Sequence, residues 1–337
     1  MNQTQTLLVT GASSGFGLLI TKTLAAAGHT VIATMRGVGG KNAKAAQGLR
    51  DHASEHGVRI HVVEMDVTSD ASVESAVAEA QRLCGGIDVV VNNAGIGASG
   101  LAETFTAEQA HAVFNVNVYG VQRVNRAVLP QMRERGRGLL IHISSGLGRY
   151  VLPFMSIYVA SKFAVEAIAE SYRYELNPLG VESVIIQPGA FGTDFSANVI
   201  VGSDPARAAG YGPVAEIPAQ MGQALHGMLT APGAPNPQEI ADLVGKLQQA
   251  NERSSEWESK MVESVAEQTQ LLDIAERECM IDLGFDVAEL PSEQVYIETF
   301  GSADGWDIGQ QVPVFTTQSE YERVWTACPP PQWFAVW

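Results

Sequence analysis

The chain has 337 residues, of which 46% are hydrophobic and 17% are charged, as expected for a globular protein with a sizeable core. Its net charge of −16 argues against nucleic acid as a partner, because a phosphate backbone binds basic surfaces. The acidity is concentrated in the C-terminal part: residues 238–337 hold 5 Lys/Arg and 19 Asp/Glu, whereas residues 1–237 hold 16 and 18.

The cysteines and the N-terminus favour a soluble cytoplasmic protein. Cys84, Cys279 and Cys328 lie far apart and follow no metal-ligand spacing, so we predict no metal site. An odd and sparse cysteine count fits a reducing compartment. The first predicted strand begins at residue 6, which leaves no room for a cleavable signal sequence. No apolar run has the length of a bilayer span, so we expect no membrane-spanning segment.

Short apolar runs alternate with longer helical segments over the first two thirds of the chain. The runs, which are rich in β-branched residues, occupy residues 6–10, 30–34, 59–65, 87–93, 138–144 and 181–188. The helical segments occupy residues 16–28, 42–57, 69–84, 107–135 and 158–176. Continuous apolar strands separated by helices indicate a parallel sheet with helices on both faces. The sequence therefore predicts a doubly wound, Rossmann-type α/β fold.

The chain changes character after the last of these strands. Residues 192–236 are rich in Gly, Pro and Ala and show little periodicity, which predicts a mobile or partly helical lid over a substrate site. Asn236 followed by a proline is a helix start signal. We therefore predict a domain over residues 1–250 and an acidic C-terminal extension over residues 251–337. Within that extension, residues 256–280 have a helical pattern and residues 293–300 have the composition of a strand.

The turn after the first strand is rich in glycine. In "VTGASSGFG" the glycines are Gly11, Gly15 and Gly17, spaced G-x-x-x-G-x-G. Glycines let a backbone approach a pyrophosphate closely, and the following helix offers free N–H groups and the positive end of its dipole. The alternative is a turn that needs glycine only for its positive φ angles. Its position directly after the first strand favours a dinucleotide site.

The end of the second strand bears on which dinucleotide would bind. NAD-binding folds often have an acidic residue here, which hydrogen-bonds the ribose 2′-OH. This chain has Arg36, and the next acid is Asp51. An arginine suits a 2′-phosphate by charge and by its planar, bidentate geometry. The sequence therefore favours NADP(H) over NAD(H), with an ordinary exposed loop arginine as the alternative.

The third and fourth strands end in further candidate contacts. Asp66 in "EMDVTS" either accepts a hydrogen bond from an adenine amino group, with the Val67 backbone beside it, or caps the helix that starts near Ser69. The motif "NNAG" at 92–95 ends the fourth strand, at the carboxyl edge where ligands bind in such sheets.

The motif "YVASK" places a phenol and an ammonium side by side. Tyr158 and Lys162 are four residues apart in a predicted helix, so they lie on the same face, one turn apart. By itself such a pair is ordinary helix-surface chemistry.

These motifs follow one another in the order found in the short-chain dehydrogenase/reductase family. "TGASSGFG", "DV" at 66–67, "NNAG", Asn117, "ISS" at 143–145, "YVASK" and "QPGAFGT" together resemble that family over residues 5–250, nearest its branch of hydroxysteroid and retinol dehydrogenases. The resemblance implies that Tyr158 is the catalytic acid/base, Lys162 its partner and Ser145 the substrate-binding serine. It also implies that Asn117 belongs to the proton relay.

The resemblance also implies a set of cofactor-binding residues along the carboxyl edge of the sheet. These are Gly11, Ser13, Ser14, Gly15, Phe16, Gly17, Arg36, Asp66, Val67, Asn93, Ala94, Gly95, Tyr158, Lys162, Pro188, Gly189, Phe191 and Thr193.

The implied chemistry is hydride transfer between a nicotinamide and a carbonyl, coupled to proton transfer. Tyrosine has an unperturbed pKa of about 10, and we expect the ammonium of Lys162 and an oxidised nicotinamide to lower it. The hydroxyl of Ser145 would stabilise negative charge on the substrate oxygen. An apolar and aromatic set, expected near the site, suits a hydrophobic ketone, aldehyde or alcohol; it comprises Leu147, Tyr150, Phe154, Met155, Phe191, Phe195 and Tyr211.

Two other functions are compatible with the same residues: an NAD-linked alcohol dehydrogenase, and a non-catalytic nucleotide sensor whose acidic tail binds a partner protein. Residues 251–337 depart from the usual ending of the family, so we expect no tetramer built on that ending. An interface through helices 107–135 and 158–176 would still permit a homodimer.

Overall fold

A computed structural model describes residues 4–252 of the chain. Its centre is a six-stranded parallel sheet with the strand order β3-β2-β1-β4-β6-β7, and a second parallel sheet pairs β5 with β8. The strands are β1 Thr6–Thr10, β2 Thr30–Met35, β3 Arg59–Glu64, β4 Val89–Asn92, β5 Gly97–Ser99, β6 Gly138–Ile143, β7 Val181–Ile186 and β8 Val199–Val201. All six predicted strands are present in the large sheet.

Helices cover both faces of the large sheet. They are α1 Gly15–Ala26, α2 Ala43–His56, α3 Asp70–Cys84, α4 Ala107–Asn117, α5 Tyr119–Arg135, α6 Ser156–Leu176, α7 Pro205–Ala209, α8 Ile217–Thr230 and α9 Gln238–Glu252. Strands β2 and β3 are added on one side of β1, and β4, β6 and β7 are added on the other side. The crevice between β1 and β4 is therefore the topological switch point of the sheet.

The expectation of a single helix over residues 107–135 is wrong. The helix is interrupted at Val118, where φ is −110° and ψ is −60°, so that α4 ends at Asn117 and α5 begins at Tyr119. The side chain of Asn117 is bonded to the backbone of Ile96: Oδ1 accepts from the Ile96 N–H and Nδ2 donates to the Ile96 carbonyl, both at 2.9 Å. These tertiary bonds hold the end of α4 in place, and no local sequence pattern encodes them.

Alternate residues of each strand face opposite helix layers. Leu7 and Val9 of β1 pack in one apolar cluster with residues of α1, α2 and α9, whereas Leu8 packs in a second cluster with residues of α3, α5 and α6. This period of two is the pattern of a sheet buried on both faces. The predicted doubly wound fold is confirmed.

Residues 192–236 contain more regular structure than their composition indicated. They include β8, α7 and α8, and β8 pairs in parallel with β5. Helix α8 packs lightly, since none of its residues is buried. The helix predicted after Asn236 is confirmed as α9, and the Asn236 side chain accepts a hydrogen bond from the N–H of Gln238 at 3.0 Å.

The predicted helix over residues 256–280 and the predicted strand over residues 293–300 lie outside the described residues, as does almost all of the acidic extension. Within residues 4–252, no helix combines the length and the apolar character that crossing a membrane requires.

A buried histidine makes folding stability depend on pH. His142 in β6 is 0% exposed, and among the described residues neither ring nitrogen has a hydrogen-bond partner. Burial lowers the pKa of His142 to about 4 from its usual 6.5. Between these values the unfolded chain binds a proton and the folded chain does not. We therefore expect the free energy of unfolding to fall by about 3 kcal/mol through this residue as pH drops from 6.5 to 4.

The measurement is urea unfolding followed by circular dichroism at pH 7 and pH 4.5. His142→Leu should lose clearly less stability than the wild type between these pH values, whereas His226→Leu, at an exposed position of α8, should lose as much as the wild type. Equal pH dependence in His142→Leu and the wild type would refute the assignment.

Candidate active site

A cleft of about 480 Å³ lies along the carboxyl edge of the large sheet. It is lined by every predicted catalytic and cofactor-binding residue except Gly17 and Asn117. Residues from the carboxyl ends of all six strands of the large sheet meet there, although they are up to more than 150 positions apart in sequence, from Gly11 after β1 to Pro188 after β7. Among the described residues, no group of three or more His, Cys, Asp and Glu is placed to hold a metal ion.

The turn between β1 and α1 needs its glycines for two separate reasons. Gly11 and Gly15 have φ angles of +68° and +54°, a conformation that other residues rarely adopt. A Cβ on Gly17 would collide with the carbonyl oxygen of Gly11 and with the side chain of Asn93. Ser14, the N-cap of α1, makes no side-chain capping bond, so its side chain leaves the first-turn N–H groups of α1 uncapped.

Asn93 and Thr10 hold this turn against the loop after β4. The hydroxyl of Thr10 accepts from the N–H groups of Asn93 at 2.9 Å and Ala94 at 3.0 Å. Asn93 Nδ2 donates in turn to the Thr10 carbonyl at 2.8 Å and to the Gly11 carbonyl at 3.2 Å. The amide nitrogen of Asn93, which the resemblance placed among the cofactor-binding residues, is therefore engaged in positioning the glycine turn.

The loop after β2 presents Arg36 in an ordered conformation. The carboxylate of Glu64 accepts from the N–H groups of Gly37 at 2.5 Å and Val38 at 2.7 Å, and Asn42 Nδ2 donates to the Arg36 carbonyl at 2.7 Å. The Arg36 residue is exposed at the cleft, and in the described part of the chain no ion pair involves it. This end of the cleft is therefore suited to a negatively charged group.

Asp66 forms a local turn and does not cap α3. Its Oδ1 accepts from the N–H and the hydroxyl of Thr68 at 2.9 and 2.8 Å, whereas the N-cap of α3 is Ser69. Burial alone would raise the pKa of Asp66, but the bonds from Thr68 and the charges of Arg36 and Arg123 lower it below its usual value. Asp66 is thus an ionised acceptor at the edge of the cleft near neutral pH.

Tyr158 and Lys162 are both buried at the opposite end of the cleft, 6% and 7% exposed. In the protein without nucleotide, burial raises the pKa of Tyr158 to about 12, and the Ser145 hydroxyl partly offsets the rise. The lowering expected beside Lys162 and an oxidised nicotinamide stays a prediction for the complex. Lys162 Nζ lies 5.7 Å from the centre of the Tyr158 ring and donates to the carbonyl of Ile143 at 2.9 Å. Loss of solvation of the phenolate therefore exceeds any stabilisation from the lysine.

Burial also acts on the lysine itself. It lowers the pKa of Lys162 to about 8, and the carboxylate of Glu166, one turn further along α6, opposes the shift. Lys162 therefore titrates close to the physiological range, far below the usual pKa of a lysine.

Two adjacent serines, Ser144 and Ser145, follow directly after β6 and line the cleft. The Ser145 hydroxyl accepts from the N–H of Leu147 at 3.1 Å, which orients it beside Tyr158. The Ser144 hydroxyl is buried and has no hydrogen-bond partner among the described residues. Of the two, the structure brings Ser145 to the tyrosine.

Asn117 does not line the cleft. It is 2% exposed, and its Nδ2 also donates to the hydroxyl of Ser161, the residue before Lys162 on α6, at 3.0 Å. Its side chain thus joins α4, α6 and the loop after β4.

Apolar side chains form the wall next to Tyr158. Of the predicted set, Leu147, Tyr150, Met155, Phe191 and Phe195 line the cleft, and two residues of α8 that the sequence did not indicate join them, Leu225 and Leu229. Phe154 and Tyr211 do not line it. The hydroxyl of Tyr211 bonds to Glu103 at 2.9 Å, which directs that ring away from the cleft.

Sequence reasoning also missed a polar group under the turns that carry Ser145 and Pro188. It consists of Glu166, Arg149 and Gln187, joined through the Glu166 carboxylate. The sequence offered one signal for Glu166, its position in α6. Glu166 follows Lys162 by one helical turn, just as Lys162 follows Tyr158, so the three residues lie on one face of the helix.

Known proteins are similar to this chain in sequence and in fold. Residues 5–202 match the family model of the short chain dehydrogenases. The chain is 38% identical over 196 residues to the 3-ketodihydrosphingosine reductase of Bacteroides thetaiotaomicron, a match that covers 58% of this chain and 67% of the relative. It is 35% identical over 202 residues to retinol dehydrogenase 8 of Homo sapiens, covering 58% of this chain and 62% of the relative. The matches thus span about two thirds of each relative.

A solved structure with a similar fold is a gluconate 5-dehydrogenase from Burkholderia cenocepacia in complex with NADP and tartrate. It has a TM-score of 0.53 and 30% sequence identity, and the alignment covers 57% of this chain and 73% of that one. With the family model matching more than half of its residues, the chain belongs to the short-chain dehydrogenase family of oxidoreductases.

Proposed function

We propose that the protein is an NADP(H)-dependent oxidoreductase that interconverts a hydrophobic ketone or aldehyde and its alcohol. The observation that carries this proposal is the common cleft, which has Ser145, Tyr158 and Lys162 at one end and the uncapped start of α1 and Arg36 towards the other. A nucleotide site and a proton-transfer site therefore lie within reach of one bound dinucleotide.

The residues along the cleft fit a nicotinamide dinucleotide. The close approach of Gly11 and Gly17 leaves the turn free of side chains where a pyrophosphate would lie on the start of α1. Arg36 would pair with the 2′-phosphate, and Pro188, Gly189 and Thr193 would hold the nicotinamide end. When bound, the nicotinamide supplies or accepts the hydride. The NADP complex of the gluconate 5-dehydrogenase supports the choice of this cofactor class.

The residues at the other end supply the proton. A pKa of about 12 keeps the Tyr158 phenol protonated at neutral pH, which suits a donor to the oxygen of a carbonyl being reduced. The Ser145 hydroxyl donates to the same oxygen and stabilises the charge that develops there. The Lys162 ammonium, held by the Ile143 carbonyl, adds positive charge next to the phenol as it gives up its proton.

The cleft wall supports a hydrophobic substrate. The wall includes the ring of Phe195, whose centre is 5.6 Å from that of Tyr158, and the leucines of α8. Such a wall excludes water from the reacting carbonyl and binds apolar chains or rings. The names of both relatives, a reductase of 3-ketodihydrosphingosine and a dehydrogenase of retinol, point in the same direction.

The test is NADPH and NADH oxidation by the purified full chain against a panel of carbonyl compounds. We expect turnover with NADPH, and kcat/KM values at least about tenfold higher for long-chain or polycyclic ketones than for small hydroxylated ones. Tight nucleotide binding without any turnover would favour the nucleotide sensor, and turnover with NADH alone would favour the NAD-linked dehydrogenase.

The homodimer implied by the resemblance stays a prediction. Exposed aromatic residues lie on both helices concerned, with Tyr119 at the start of α5 and Phe163 and Tyr174 on α6.

A further inference from the structure

A buried carboxylate that the proposed chemistry does not use lies beneath the active site. Glu166 is 4% exposed and follows Lys162 by one turn of α6, so that Tyr158, Lys162 and Glu166 occupy three successive turns of one helix face. A buried carboxylate is costly unless it is paired and hydrogen-bonded, which indicates that the fold holds it there through specific partners.

Those partners come from two different turns. Glu166 Oε2 accepts from Gln187 Nε2 at 2.7 Å and pairs with Arg149 Nε at 3.2 Å. Arg149 lies four residues after Ser145 in the turn after β6, and Gln187 lies directly before Pro188 in the turn after β7. The carboxylate thus connects α6 to both turns. One turn carries the proposed substrate serine, and the other carries the proposed nicotinamide contacts.

The local packing is built around this carboxylate. A Cβ on Gly148 would lie 2.7 Å from Glu166 Oε1 and 2.9 Å from the hydroxyl of Ser144, so the turn after β6 can approach only as glycine. The two turns are also joined directly, since the N–H of Gly146 donates to the Pro188 carbonyl at 2.9 Å. A shift of Glu166 would therefore be transmitted to both turns.

The same carboxylate lies one helical turn from the buried ammonium of Lys162, and its charge raises the pKa of that lysine against the effect of burial. Among the described residues, the other charged or titratable groups around this pair are Tyr158 and Glu170 on α6 and Arg149 in the turn after β6. Arg149 is shared, because it also pairs with Glu170 at 2.7 Å, and its side chain is 54% exposed. Glu166 is thus the buried negative charge next to Lys162 on α6.

We infer that Glu166 is a positioning residue of the active site, which fastens the turns after β6 and β7 to α6 and supplies the counter-charge that keeps Lys162 protonated. The inference rests on the proposed function only for the role of Lys162. The fastening of the two turns is a property of the protein without nucleotide or substrate.

Three variants of the full chain separate these roles. Glu166→Gln removes the charge, Glu166→Asp keeps the charge on a shorter side chain, and Glu175→Gln removes an exposed charge from the same helix as a matched control. The first readout is hydrogen exchange of the nucleotide-free protein over residues 144–150 and 186–191. The second is the pH profile of kcat/KM for NADPH-dependent reduction of a ketone that the wild type accepts.

For Glu166→Gln we expect about tenfold faster exchange in both turns. We also expect the alkaline limb of its pH profile to move to lower pH, because loss of the carboxylate lowers the pKa of Lys162. In this variant kcat/KM at pH 8.5 should therefore be about tenfold lower than kcat/KM at pH 6.5. Glu166→Asp should lose rate at all pH values but restore the position of the limb. Glu175→Gln should match the wild type in both readouts.

The inference is overturned if Glu166→Gln matches Glu175→Gln in both readouts, or if Glu166→Asp shifts the alkaline limb as far as Glu166→Gln. If the wild type turns over no ketone, the proposed function and the counter-charge fail together, and unchanged exchange in Glu166→Gln would refute the fastening as well. If Glu166→Gln does not fold, Arg149→Gln replaces it as the test of the fastening, because Arg149 is the exposed partner of Glu166. This variant should speed hydrogen exchange over residues 144–150 and leave the alkaline limb of the pH profile unchanged. Unchanged hydrogen exchange over these residues would refute the fastening.

Discussion

Replacing Tyr158 by phenylalanine is expected to lower kcat for ketone reduction by about 10³-fold while leaving NADPH affinity within about twofold of the wild type. The ring stays in place and only the hydroxyl is lost. Because Tyr158 is 6% exposed, the variant leaves little room for bulk water to replace the lost donor. Steady-state kinetics and calorimetric titration with NADPH measure the two quantities separately.

The matched control is Tyr172→Phe. Tyr172 is a second buried tyrosine of α6, and its hydroxyl donates to Gln122 at 2.7 Å, away from the cleft. This variant loses the same atom from the same helix and should keep kcat within about twofold. Turnover in Tyr158→Phe at the wild-type rate would eliminate Tyr158 as the proton donor.

The second large effect is expected at the opposite end of the cleft. Arg36→Asp should weaken NADPH binding by about 100-fold, which corresponds to about 3 kcal/mol, because a charge-assisted contact with the 2′-phosphate is lost and a like charge takes its place. NADH, which has no 2′-phosphate, should bind with an affinity near that of the wild type. Calorimetric titration with both nucleotides gives the ratio directly.

Lys44→Asp controls for the change in overall charge. Lys44 is exposed on α2 near Arg36 in sequence, and it does not line the cleft. This variant makes the same change in net charge and should alter NADPH affinity by no more than about threefold, through long-range electrostatics alone. Equal loss of NADPH and NADH affinity in Arg36→Asp would show that Arg36 does not contact the 2′-phosphate.

Much of the fold and many of the candidate site residues followed from patterns that are local in the chain. The six strands were recognisable because strands buried on both faces must be continuously apolar, and the helices because their lengths separated those strands. The glycine spacing marked the turn after β1, since a positive φ at Gly11 and a close approach at Gly17 exclude other residues. The helical repeat placed Lys162 one turn from Tyr158.

What the sequence by itself determined was therefore the order of the elements and the residue types at the carboxyl edge of the sheet. The tertiary structure decided everything that depends on burial or on partners distant in sequence. It ended α4 at Asn117, whose side chain bonds to the backbone of Ile96. It also buried the Tyr158 phenol, which raises a pKa that a neighbouring lysine by itself would lower. It also joined Glu166 to Arg149 and Gln187, because desolvation and the reach of a side chain across two turns appear only when α6 packs against the ends of β6 and β7.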